Sequence, residues 1–230
     1  MIRFLFILYL VISSNLYADE ANLKNLIEKQ YPELKVKNIT KTKFNGLYEV
    51  FLGGQIIYTD ENFSFLIADG QLINPKTKKS ITEERLMELT KVDFSKLPLD
   101  KAIKIVKGQG KHKVAVFSDL DCPFCRKLEK ESLLKIDNTT IYIFPFPLAI
   151  HPDAEKKSLQ IWCDADRAKS WVAFMESGKL PNNEGECDSP IKEVQKLAKS
   201  IGISSTPTII FESGMVVPGA IPYDEFVKNL

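Results

Sequence analysis

Val114-Ala115-Val116-Phe117 is a run of four apolar residues rich in β-branched side chains, short enough to be a buried strand and too short to be a helix. A turn through Ser118-Asp119-Leu120-Asp121 follows, and then Cys122-Pro123-Phe124-Cys125. Proline is tolerated in the first turn of a helix, so the second half of this segment reads as a helix opening at Cys122. A second apolar strand, Ile141 to Phe146, comes after that helix and makes the segment a β-α-β unit. Beyond it, residues 153–201 have mostly helical texture. Thr208 to Phe211 and Met215 to Val217 read as a hairpin around Glu212-Ser213-Gly214, and a last helix covers Tyr223 to Leu230.

The paired cysteines at the head of the helix point to redox chemistry. Unpaired N–H groups and the positive end of the helix dipole favour a thiolate at the first cysteine and lower its pKa. Cys122 is therefore the expected nucleophile. Cys125, one turn further in, is placed to attack a mixed disulfide on Cys122 and release the substrate, which makes it the resolving thiol. Pro123 removes one amide donor from the first turn, and Phe124 offers an aromatic side chain near the sulfur, as a contact for unfolded chains or as packing. Asp119 and Asp121 oppose a thiolate by their charge, but read first as turn-forming carboxylates. A zinc site is the rival reading of Cys-x-x-Cys and needs two further ligands. Cys163 and Cys187 are isolated, and His112 and His151 form no ligand cluster, so no metal is expected. His151, beside Pro152, reads as a loop histidine.

The chain begins Met1-Ile2-Arg3, then a short apolar run from Phe4 to Ile12, then Ser13 to Ala18. This is the pattern of a secretory signal peptide over residues 1–18, too short to span a membrane comfortably. Export permits disulfides, so four cysteines suggest two pairs with different tasks. Residues 21–30 have helical spacing up to Tyr31-Pro32. From Leu34 to Ile73 three strand-like runs, Leu47–Leu52, Gln55–Thr59 and Phe63–Ile67, read as an antiparallel meander. Roughly 60 residues bury little, so this region is expected to pair with a second copy. Ser80 and Glu83 have capping-box spacing ahead of a helix over 81–91, and Val92 to Gly110, with Pro98, Gly108 and Gly110, reads as a boundary. With 31 basic and 30 acidic residues the chain has no electrostatic footprint for nucleic acid.

The order of elements resembles a thioredoxin-like fold with a helical insertion. More specific features run over nearly the whole chain: Tyr31-Pro32-Glu33-Leu34-Lys35-Val36, Phe117-Ser118-Asp119 before the paired cysteines, Asp153-Ala154-Glu155-Lys156 leading to Ile161-Trp162-Cys163, Thr206-Pro207, and Val217-Pro218-Gly219. Together they resemble the bacterial periplasmic disulfide isomerases DsbC and DsbG. The resemblance implies an α+β organisation. After the signal peptide come a cystatin-like, helix-plus-antiparallel-sheet dimerisation domain (19–78), a linker helix and hinge (79–104), and a thioredoxin-like catalytic domain with a helical insertion (105–230).

The resemblance also implies a structural disulfide between Cys163 and Cys187, and a cis Thr206-Pro207 bond facing the redox pair. From the residues alone that bond would be trans. Thr206 would offer its backbone to an extended substrate, with Pro207, Pro123 and Phe124 beside it. The implied protein is a periplasmic homodimer that isomerises or reduces wrong disulfides in misfolded exported proteins, uses no cofactor, and draws electrons from a membrane thiol reductase of the DsbD type. Pro123-Phe124 is nearer the DsbG pattern, which leaves open reduction of oxidised single cysteines with chaperone activity. A dithiol oxidase is the other alternative, which the dimerisation-like region disfavours. A chaperone whose thiols are secondary would keep its role without Cys122 and Cys125.

Overall fold

The computed structural model describes residues 14–230, with side chains from residue 19 onward. Most of the expected signal peptide lies outside the described residues. The chain divides into two compact units, Met1–Thr90 and Lys91–Leu230.

The first unit opens with helix α1 (Ser14–Gln30) and continues into strands β1 (Val36–Lys41), β2 (Tyr48–Leu52), β3 (Gln55–Thr59) and β4 (Leu66–Ile67). They form an antiparallel meander in the order β1-β2-β3-β4. Gly53 and Gly54, both at positive φ, make the two-residue turn that returns β2 onto β3, a conformation other residues adopt only with strain. All five residues of β2 are buried because both faces of the sheet are covered. On one face Leu23 and Ile27 of α1 pack with Tyr48, Val50, Leu52 and Ile57. On the other, Leu86 and Leu89 of helix α2 (Ile81–Leu89) pack against Phe51, Ile56 and Tyr58. Helix α2 starts at Ser80, whose side chain caps the Glu83 N–H as expected. It is also fixed by polar contacts: the Tyr58 and Thr82 hydroxyls lie 2.6 Å apart, and Arg85 donates to the buried Glu49 carboxylate from two of its nitrogens. The expected linker helix is thus bound to the sheet that precedes it.

Two details of this unit differ from the sequence reading. β1 was not expected, because only Val36 of its six residues is buried and its register shifts between Val36 and Asn38. The strand expected over Phe63–Ile67 shrinks to Leu66–Ile67, with Phe63 at φ 52°, outside the strand region.

The second unit is a five-stranded sheet in the order β5-β7-β6-β8-β9, built from β5 (Ile103–Val106), β6 (His112–Ser118), β7 (Thr139–Pro145), β8 (Thr208–Phe211) and β9 (Val216–Pro218). β6 and β7 are parallel, joined by helix α3 (Pro123–Leu128) and a π turn over Glu129–Leu133; the other pairings are antiparallel. Helices α4 (Ala154–Trp162), α5 (Arg167–Ser177) and α6 (Ile191–Ser200) form the insertion, and α7 (Tyr223–Lys228) closes the chain. Alternation along the strands divides the core: Val114, Val116, Ile141, Ile143 and Ile209 face α3, α5 and α7, whereas Ala115, Phe117, Phe144 and Ile210 face α6. Residues 91–104, read from sequence as boundary and hinge, contain two 3₁₀ turns and the start of β5.

The α+β organisation expected from the sequence is the one the structure has, with a helix and antiparallel sheet first and a thioredoxin-like unit after it. Cys163 and Cys187 are bonded to each other. The Thr206-Pro207 peptide is cis, as the resemblance implied and against the trans form favoured by the residues alone.

Candidate active site

β6 delivers the chain through Ser118 into a tight turn that ends at Cys122, the N-cap of α3, and Pro123 occupies the first helical turn. The missing proline N–H costs nothing there, since first-turn amides have no partner within a helix. Cys122 and Cys125 are free thiols, both buried. Between them Phe124 projects outward at 62% exposure, so of the two sequence readings for it, packing is the one the structure does not support.

The two sulfurs have different surroundings. Cys122 Sγ donates to the carbonyl oxygen of Thr206 at 3.4 Å, which brings the Thr206-Pro207 loop against the first thiol. The Pro207 carbonyl in turn accepts the Gly219 N–H at 2.7 Å, tying the loop to the residue after β9. Cys125 Sγ accepts the backbone N–H of Asp119 at 3.4 Å. Burial pushes the Cys125 thiol up to about 12, against which the Asp119 N–H and the Ser118 hydroxyl act. Cys125 is therefore a protonated, enclosed thiol at neutral pH. Thr206 Oγ1 is buried with no hydrogen-bond partner.

Cys163 and Cys187, the further cysteines that a zinc site would have to draw on, are bonded to each other. Among the described residues no group of three or more His, Cys, Asp or Glu could hold a metal ion.

Three residues given mild readings from sequence surround this site. Asp119 does form the expected turn, its Oδ1 accepting the Asp121 N–H at 2.8 Å, but its side chain is wholly buried. Its other oxygen takes the Leu148 N–H at 2.7 Å and meets His151 Nδ1 at 2.8 Å. His151 does lie in the loop between β7 and α4, yet its ring is the partner of a carboxylate three residues before Cys122. Asp121 is paired with Lys157 of α4 at 2.6 Å, which offsets its charge near the helix start. No spacing rule links Asp119 to His151, 32 residues away; a buried-strand end bearing Asp, followed by a strand with His just beyond its end, was the available hint.

Both units of the chain match known protein families. Residues 99–230 match the thioredoxin-like domain, and residues 14–83 match the disulfide bond isomerase protein N-terminal domain. A protein of Bordetella avium named "Probable thiol:disulfide interchange protein DsbC" is 38% identical over 208 residues, covering 90% of this chain and 73% of that protein. The chain belongs to the DsbC family. Thiol:disulfide interchange protein DsbC of Escherichia coli K12 is 25% identical over 229 residues, covering 98% of this chain and 93% of the relative. A solved disulfide interchange protein from Neisseria gonorrhoeae is 46% identical, covers 58% of this chain and 98% of its own, and superposes with a TM-score of 0.55. As a member of the DsbC family the chain is a thiol-disulfide oxidoreductase of the isomerase type. No described helix is long and apolar enough to cross a membrane.

Proposed function

We propose that this protein corrects wrong disulfides in misfolded exported proteins of the periplasm, with Cys122 as nucleophile and Cys125 as resolving thiol. The Cys122 thiolate attacks one sulfur of a substrate disulfide. A Cys122–substrate bond forms, the substrate S–S bond breaks, and the second substrate sulfur leaves as a thiolate. Isomerisation follows when a different substrate thiolate attacks the mixed disulfide and expels Cys122. Reduction follows when Cys125 attacks Cys122, the substrate leaves as a thiol carrying the proton that Cys125 gives up, and a Cys122–Cys125 disulfide remains. Two electrons from a membrane thiol reductase of the DsbD type restore the dithiol. Protein residues alone carry these steps.

The observation that carries this reading is the asymmetry of the pair: Cys122 at the helix start against the Thr206 carbonyl, Cys125 enclosed and protonated. A resolving thiol held as a thiol favours escape of the substrate by its own thiols over reduction. Thr206 offers backbone to an extended substrate segment, with Pro207, Pro123 and the exposed Phe124 beside it. The first unit serves as the dimerisation domain, because its edge strand leaves Leu66 and Ile67 apolar and uncovered. Removal of residues 1–18 on export would produce the mature chain.

The test is refolding of a scrambled protein with several disulfides. The intact protein should restore its activity, Cys122→Ser should abolish the effect, and Cys125→Ser should retain part of it while trapping mixed disulfides. A Cys122→Ser variant that corrects disulfides as well as the intact protein overturns the reading.

A further inference from the structure

Every polar group of Asp119 is engaged at the redox centre. Its N–H points at Cys125 Sγ (3.4 Å) and its carbonyl accepts the Cys122 N–H (3.2 Å). The carboxylate, 0% exposed, takes the Asp121 N–H, the Leu148 N–H and His151 Nδ1. A buried carboxylate is stable only when its lone pairs are filled, so these three contacts fix the rotamer of Asp119 and with it the peptide planes on either side. Two of the contacts are backbone groups that the fold supplies whatever the side chains. His151 supplies the third from a side chain that remains partly exposed itself.

We propose that Asp119 and His151 are positioning residues for the resolving step: the His151–Asp119 contact holds the Asp119 N–H on Cys125 Sγ, where it stabilises the thiolate that must form as Cys125 attacks the mixed disulfide. The inference rests on the thiol-exchange reading above. In that step the Cys125–Cys122 bond forms, the Cys122–substrate bond breaks, and the proton lost by Cys125 ends on the departing substrate sulfur, so no further reactant is needed. A hydrogen bond to an anion is stronger than one to a neutral thiol, so the N–H lowers the barrier to resolution more than it stabilises the resting dithiol. Cys122 attack, which precedes it, does not use this donor. The pair thereby sets how often a captured substrate is reduced rather than released to rearrange.

An aryl disulfide whose thiolate product is coloured separates the two steps in the full-length protein, because one equivalent is released when Cys122 attacks and a second when Cys125 resolves. His151→Ala should slow the second release by about tenfold, the size expected for losing one charge-assisted hydrogen bond, and leave the first within about twofold. His151→Asn should restore most of the second rate, since its Nδ2–H stands where Nδ1–H stands in histidine. Asp119→Asn, which keeps the volume and one oxygen acceptor, should fall between. Unfolding curves for each variant separate loss of positioning from loss of fold. A second phase unchanged in a folded His151→Ala, both phases slowed equally, or no rescue by asparagine overturns the positioning role. Absence of the first release in the unaltered protein would instead refute the assignment of Cys122.

Discussion

The Cys122 thiol donates to the Thr206 carbonyl at 3.4 Å, across 84 residues of sequence, whereas the Cys125 sulfur three residues later is turned inward onto the Asp119 N–H. One thiol faces the loop proposed to bind substrate and the other faces the core. Alkylation of the reduced protein at about neutral pH should therefore modify Cys122 first, and Cys122→Ser should leave a Cys125 that reacts slowly there. In that variant the neighbouring sulfur that adds to the shift is gone and only burial still raises the Cys125 thiol, so its reaction should quicken only above neutral pH. Mass spectrometry after timed quenching reads both sites. Equal rates at the two cysteines would contradict the enclosed resolving thiol.

Glu129, in the π turn after the active-site helix, is a buried acid that the thiol chemistry does not use. Burial raises its carboxyl from 4.5 to about 7; the Trp171 indole N–H and the Lys107 ammonium act against the shift, and Glu176 adds to it. Because the folded pKa lies above the unfolded one, the unfolded chain releases this proton first as pH rises. The folded state is then favoured fully below about 4.5 and loses stability through about 7, by on the order of 3 kcal/mol in total. Glu129→Gln, of equal size and without charge, should unfold at a higher temperature than the parent at about pH 8 and at a similar one at about pH 4. Thermal unfolding at the two pH values checks it. A variant that keeps the parent's loss of stability over that range would place the pH dependence elsewhere.

The candidate redox pair was legible because its signal is local: an apolar strand, a turn and Cys-Pro-Phe-Cys all lie within twelve residues of sequence, from Val114 to Cys125. The two hairpins were legible for the same reason, Gly53-Gly54 and Ser213-Gly214 both lying between apolar runs. What the residues did not reveal depends on distant closure. The His151–Asp119 contact exists only once β7 has paired with β6 and carried the following loop back over the turn. The cis Thr206-Pro207 bond goes against the preference that the dipeptide itself carries. β5 had a readable two-residue period, with Ile103 and Ile105 buried and Lys104 and Val106 turned out. Four residues between proline- and glycine-bearing segments were too few to outweigh the reading of a boundary.

The Cys163–Cys187 disulfide closes the segment that carries α5 and the irregular stretch after it, 24 residues apart in sequence. Constraining a loop of that length in the unfolded chain stabilises the fold by roughly 3 kcal/mol in the chain-entropy account. The double variant Cys163→Ala, Cys187→Ala should lose about that much in denaturant unfolding while releasing the first equivalent from an aryl disulfide at the parent's rate. A variant of unchanged stability, or one that stays folded yet loses the Cys122 reaction, would remove the purely structural role of this bond.

The first unit's meander ends at β4 on Leu66 and Ile67, exposed at 51% and 42%, with Phe65 beside them at 47%. Soluble proteins usually guard an edge strand with charge, proline or a bulge, because its free N–H and C=O groups otherwise recruit another strand. Three consecutive exposed apolar residues on such an edge are explained if a second copy covers them, and a two-fold axis would set each β4 against its twin. Ile67→Asp would then put like charges across that axis and exclude water from neither. Sedimentation should show a dimer for the parent and a monomer for the variant. The monomer should still reduce a small aryl disulfide at about the parent's rate, since the second unit carries both thiols and a single encounter suffices. It should lose most of its ability to correct a scrambled protein, because repeated exchange depends on holding the chain near Cys122, and a paired second site raises the local concentration of substrate. A parent that sediments as a monomer sinks the edge-pairing account, and an Ile67→Asp monomer that isomerises as well as the parent detaches dimerisation from the correction of disulfides.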